Sequence, residues 1–145
     1  MVINTDKLSE IYDVLKDYLT RDDISYKPTI SKKYVDIVNR ENFPLVTIEE
    51  IDNTLSSASF GGNESVSNLA YEINVYAIDK KYNDEIISNI NICRYLVQKI
   101  DYVLSECYHM RRIQVRPTPN IDITIYRITM RYEINLFDNR GKFVR

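Results

Sequence analysis

Few residues of this chain have the types and spacing that chemistry demands. Cys107 and His109 stand two positions apart, in a chain with one histidine and two cysteines. A catalytic thiol needs a base held against it. Alternate positions near a helix end do not bring ring and sulfur together, so His109 reads as a structural or surface residue. Cys93 and Cys107 fall on one expected helix, which sets them about 21 Å apart at about 1.5 Å per residue. That is too far for a disulfide, whose Cα atoms lie about 4.4–6.8 Å apart, or for a shared metal. Both cysteines read as small buried apolar residues. Gly61-Gly62 runs into Asn63-Glu64 and not into Gly-Lys-Ser/Thr, so it is no phosphate loop. Glu49 and Glu50 are neighbours on an expected strand, so they point to opposite faces and cannot share a proton. Arg111-Arg112 could touch phosphate, but two exposed arginines are commonplace. No catalytic residue, cofactor site or metal site emerges, and an enzyme is not expected.

The chain's most distinctive polar pattern lies near its end. Pro117-Thr118-Pro119-Asn120-Ile121-Asp122 forms a stiff turn, with φ fixed at the prolines and Asn and Asp able to bond nearby backbone. A long strand of period two follows. Thr124, Tyr126, Ile128, Met130, Tyr132, Ile134 and Leu136 fall on one side. Ile125, Arg127, Thr129, Arg131, Glu133 and Asn135 fall on the other. The first side suits a core. The second, with Arg127, Arg131 and Glu133, suits a face that meets charged partners.

The elements that would position this strand follow from periodicity. Leu8, Ile11, Tyr12, Leu15, Tyr18 and Leu19 predict a helix over residues 6 to 20. Ile24 to Ile30 reads as a short edge strand, with Pro28 keeping it from a central place. Residues 31 to 42 fit either a helical turn or an irregular connection. Strands are expected at Phe43–Ile51 and Leu69–Ile78. Between them, Asp52 to Asn68 holds two of the three glycines and reads as a long loop, projecting as a hairpin arm. A long helix is expected from an N-cap at Asn83, with Ile86, Ile90, Cys93, Val97, Ile100, Leu104 and Cys107 as its stripe. His109 to Val115 is a further strand.

At 145 residues, one domain can bury a core without staples. With 19 basic against 21 acidic residues, there is no basic excess of the kind a dedicated nucleic-acid binder carries. No apolar run reaches the length of a membrane span, and the first residues lack the pattern of a signal peptide. The 12 tyrosines suit interfaces, though tyrosine is also an ordinary strand residue.

Three segments together carry a family likeness. They are Phe43-Pro44-Leu45-Val46-Thr47-Ile48-Glu49-Glu50-Ile51 with Asn53, Asn68-Leu69-Ala70-Tyr71-Glu72-Ile73-Asn74-Val75-Tyr76-Ala77, and Pro117 to Glu133. In this order and spacing the chain resembles the tail terminator or tail-completion (head–tail joining) proteins of tailed bacteriophages, over roughly residues 40 to 137. Each segment alone is common strand sequence, and the combined order is what is telling.

The resemblance implies an α+β fold: a small mixed or mainly antiparallel sheet with two helices packed on one face and a long inter-strand arm. It implies a structural virion protein, assembled in the bacterial cytoplasm. Such a protein forms a ring, usually hexameric, on the head-proximal end of the tail tube. The ring stops tube polymerisation and joins the tail to the neck. Its partners would be further copies of itself, the tail tube protein and a neck or head-completion protein. DNA would pass through without sequence-specific binding, and no membrane would be involved. On this reading Arg127, Arg131 and Glu133 make subunit contacts or line the channel. The arm, with Ser56, Phe60, Gly61, Gly62 and Asn63, grips the tube. The bland alternative for the arginine face is a solvated sheet surface with cross-strand ion pairs. For the whole chain the alternatives are a head-completion or stopper protein, the same cap in a headless tail-like bacteriocin, and a small cytoplasmic binding module.

Overall fold

Leu8, Ile11, Leu15 and Leu19 recur every three or four positions and fold into the first helix, α1 (Lys7–Leu19). The computed structural model describes residues 7–32, 42–58, 64–119 and 122–139. β1 (Thr29–Ser31) begins directly after Pro28, which has no amide proton for a ladder. It pairs in parallel with β2 (Leu45–Ala58), and β3 (Glu64–Ala77) returns antiparallel to β2. A small hairpin follows, β4 (Lys80–Tyr82) and β5 (Glu85–Ile87). α2 (Asn89–Asp101) runs on into a π-helical turn at Tyr102–Cys107. β6 (Arg111–Pro117) and β7 (Tyr126–Asn139) complete a five-stranded sheet of order β1-β2-β3-β7-β6. Among the described strands only the β1–β2 pair is parallel. The fold is therefore α+β with a mainly antiparallel sheet, as expected.

Both helices cover one face of that sheet. Ile11, Leu15 and Leu19 of α1 and Ile92, Cys93, Leu96 and Ile100 of α2 bury against Val46, Ile48, Tyr71, Ile73, Val75, Ile128, Met130 and Tyr132. The register carries the alternation across the sheet: Val46 faces Val75 and Val75 faces Ile128, while Ile48 faces Ile73 and Ile73 faces Met130. A slip by one residue would turn all of these into solvent, so the apolar pattern pins the pairing. A smaller cluster of Phe43, Leu45, Tyr76, Ile78 and Ile125 lies apart from this core. Leu45 and Tyr76 are register partners on the uncovered face, so the cluster closes one end of it.

The structure corrects the sequence reading in five places, the first being the edge strand expected over Ile24–Ile30, which is only Thr29–Ser31. Residues 52–58 and 64–68, expected as loop, are strand: β2 and β3 pair out to Ala58 and Ser65, with irregularities at Glu50/Asp52 and Leu55/Ser57. Their serines and asparagines hide the pairing because ladder bonds are made by backbone, and β7 templates β3 as far as Glu64 opposite Asn139. The helix does not start at Asn83. Asn83 and Asp84 have φ of 50° and 65° and make the two-residue turn of the β4–β5 hairpin. Ile86, expected on the helical stripe, is 74% exposed. The true cap is Ser88, whose Oγ accepts from the Asn91 N–H at 3.3 Å. Cys107, expected to be buried, is exposed at the end of the π turn. The wider turn shifts the side-chain direction away from the α-helical stripe. The next strand starts at Arg111 and not at His109. His109, at φ 55°, reverses the chain where the Met110 N–H reaches Leu104 O at 2.8 Å.

Candidate interaction surface

The sheet face opposite the helices, uncovered among the described residues, is built by alternation. With Val75 and Ile73 turned to the core, Asn74 and Glu72 of β3 turn out, beside Thr129 and Arg131 of β7. Asn74 is only 4% exposed and sits at the centre of the polar network. Its Oδ1 accepts from Thr129 Oγ1 at 2.7 Å and from Arg127 Nε at 3.0 Å. Its Nδ2 donates to Glu72 Oε2 at 3.3 Å. Two donors on one side and a carboxylate on the other leave the amide one workable orientation. Thr129 spends its proton on Asn74, so Thr118 must donate in the 2.6 Å contact between the two hydroxyls. Arg131 reaches Glu72 Oε1 through Nε at 3.3 Å and Nη2 at 3.2 Å. The Arg127 guanidinium also lies 5.3 Å from the centre of the Tyr76 ring. Glu133 pairs with Arg111 of β6.

Arg127, Arg131 and Glu133 thus share one face as expected, and each is bonded within its own sheet. Together they form a cross-strand polar network centred on the buried Asn74 and Thr129. Because those bonds are intramolecular, the three side chains are not simply waiting for a neighbour. Replacing Asn74 with alanine is expected to cost about 2 kcal/mol, since it orphans a buried hydroxyl and an arginine N–H together. Urea unfolding of the variant checks this, and a midpoint unchanged from the parent would contradict the network.

Of the arm residues, Phe60, Gly61, Gly62 and Asn63 lie outside the described residues, as do Asn120 and Ile121 of the proline turn. Ser56 lies in β2. Asp122 does bond back as its type allows: its Oδ1 accepts from the Thr124 N–H at 2.9 Å and from Thr124 Oγ1 at 2.6 Å.

A second polar group ties α2 to the covered face and was not foreseen. Asp101, the last residue of α2, accepts at Oδ1 from Tyr132 Oη at 2.6 Å and from Ser105 Oγ at 2.9 Å. Its Oδ2 meets Arg112 Nη1 at 3.3 Å. Burial, followed by the hydrogen bond to Asp101, pushes the Tyr132 phenol well above the ordinary tyrosine value. Tyr71 is raised likewise by burial and then by the nearby Glu50 carboxylate, on which its hydroxyl donates at 3.4 Å. No sequence pattern links residues 101, 112 and 132, so only the fold reveals the group.

The tyrosines are mostly structural. Tyr71, Tyr76 and Tyr132 are buried. Tyr26 packs on Tyr82 and Tyr95, with ring centres 4.8 and 4.9 Å apart. Tyr102 and Tyr108 are exposed and line, with Tyr18 and Cys107, a groove of about 630 Å³ between α1 and the π turn. Among the described residues no three His, Cys, Asp or Glu side chains converge on a metal position. No described helix is long and apolar enough to cross a membrane. Neither a scan against protein-family models nor a search of curated proteins finds a match to the chain.

Proposed function

We propose that this protein is a structural virion component of the tail-terminator type, a ring that caps the head-proximal end of a phage tail tube and joins it to the neck. The observation that carries the reading, beside the resemblance of residues 40 to 137, is the arm. Strands β2, β3 and β7 stay paired out to Ala58, Glu64 and Asn139. Long backbone-paired strands of this kind are stiff enough to meet a second protein without folding afresh. The exposed Arg131 on the sheet face opposite the helices supports the same reading, because a ring subunit must keep a wet surface toward channel or solvent.

Tube polymerisation in vitro tests the proposal. Adding the intact protein to polymerising tail tube subunits is expected to arrest growth and leave a ring at one tube end in negative-stain images. Removing Ser56–Ser65 shortens the arm. The shortened protein is expected to keep its helical signal and thermal transition and to lose capping. Tubes that grow unchecked with the intact protein would overturn the reading, and binding to empty heads instead of tubes would move the protein to the head-completion side.

A further inference from the structure

We propose that copies of this chain join head to tail through the two edges of their sheets, the β2 edge of one against the β6 edge of the next. The proposal deepens the ring of the reading above and rests on that reading only for the closure of the ring.

Among the described residues both edges are unpaired over most of their length. β1 covers β2 only from Leu45 to Thr47. Among the described residues nothing pairs with that side of β2 from Ile48 onward. Among the described strands β6 pairs with β7 alone, and all seven of its residues are exposed. At about 3.4 Å per residue this edge is roughly 24 Å long. An unpaired edge of that length is a standing template for another strand.

The edges also match. β2 carries Glu49-Glu50-Ile51-Asp52, and β6 carries Arg111-Arg112-Ile113-Gln114. Each run holds a bulge at its isoleucine, between Glu50 and Asp52 on β2 and between Arg112 and Gln114 on β6. Both isoleucines stand in solvent, Ile51 at 41% and Ile113 at 47% exposure. The acids lie on one edge and the bases on the other. Glu49 faces Glu72 across the β2–β3 ladder, and since Glu72 already holds Arg131, Glu49 is the carboxylate left to take a neighbouring cation. Arg116 of β6 and Arg94 of α2 meet no carboxylate among the described residues. Arg111 and Arg112 are paired within the chain, to Glu133 and Asp101, yet each guanidinium has five N–H donors and is more than half exposed.

The pattern also selects against the wrong pairing. Two β2 edges would set acid on acid, and two β6 edges base on base, so only unlike edges attract. β2 and β6 run antiparallel to each other within one sheet. Rotating a copy about an axis along the strands therefore brings unlike edges together antiparallel, the better-bonded arrangement. Such a heterologous contact repeats in one sense and closes into a ring when the rotation allows.

Cysteine cross-linking tests this. Ile51→Cys and Ile113→Cys are made in separate chains, each also carrying Cys107→Ser to remove the exposed native thiol, while Cys93 stays buried. Both altered positions are exposed, and an unchanged thermal transition verifies the fold of each variant. Equal amounts are mixed and treated with a short bismaleimide. The mixed 51–113 product is expected to exceed the 51–51 and 113–113 products several-fold. Arg116→Glu on the Ile113→Cys chain is expected to cut the mixed yield several-fold, and Glu49→Lys on the other chain to restore it. Three products in random proportion, or no product at the highest soluble concentration, would overturn the proposal. Tube capping without the mixed product sinks this inference alone. The mixed product without capping sinks the tail reading alone.

Discussion

Alanine at Asp101 is expected to lower the free energy of unfolding by about 2–4 kcal/mol. Tyr132 is fully buried, and its hydroxyl reaches Asp101 Oδ1 at 2.6 Å. Without the carboxylate that hydroxyl loses its charged acceptor and keeps only the Ser105 hydroxyl beside it, a penalty of about 1–3 kcal/mol. Losing the Ser105 bond and the Arg112 contact adds to it. The ion pair itself contributes little, because both side chains keep contact with water. Asparagine keeps an oxygen for Tyr132 and is expected to cost about 1 kcal/mol or less. Tyr132→Phe removes the donor and leaves a partly hydrated carboxylate, so about 1 kcal/mol is expected there. Urea unfolding of the three variants checks the order. If alanine and asparagine cost the same, the Tyr132–Asp101 bond does not hold α2 to the sheet.

Above about pH 10 the protein is expected to lose stability steeply. Tyr71, Tyr82 and Tyr132 hold their protons above the ordinary tyrosine value of 10.0, each chiefly because burial disfavours the phenolate. Burial pushes the Cys93 thiol from 9.0 up to about 12. All four groups are protonated in folded and unfolded chain alike at neutral pH, so their contribution is full there. As pH passes the unfolded values, the unfolded chain gives up protons that the folded chain keeps. Each such group then lowers the unfolding free energy by about 1.4 kcal/mol per pH unit, until its folded value is reached. The melting temperature should therefore be flat from about pH 7 to about pH 9 and fall beyond. Tyr132→Phe should make the fall shallower. A transition that is level through pH 11, or a fall of equal slope in the phenylalanine variant, would contradict the burial of these groups.

Much of the fold was legible because it rests on periodicity. The spacing of Leu8, Ile11, Leu15 and Leu19 located α1, and the alternation through Tyr126, Ile128, Met130 and Tyr132 assigned the covered face of β7. Asn74 and Glu72 alternate with Ile73 and Val75, which puts them on the opposite face of β3. That they would meet Arg127 and Arg131 could not be read there, because register between distant strands is a property of the assembled sheet. Asn83 misled for a definite reason. Asn is as good at the head of a helix as in a left-handed turn, and the acids after it suit a helix start. The short strands around it, Lys80–Tyr82 and Glu85–Ile87, decide for the turn. Asp101 was silent in the sequence because its partners lie on the π turn, β6 and β7.

The order of strands in the sheet has a consequence for how the molecule comes into being. β7 lies inside, between β3 and β6, yet it follows β1 to β6 in the chain. During synthesis the β2–β3 hairpin can form early, since its halves are neighbours. β6 has nothing to join until β7 leaves the ribosome and slips between them. Until then β3 shows a bare edge, and the apolar sides of both helices lack half their floor. The nascent chain is thus most prone to mispairing just before its last inner strand arrives, and completing that strand closes the sheet and the core together.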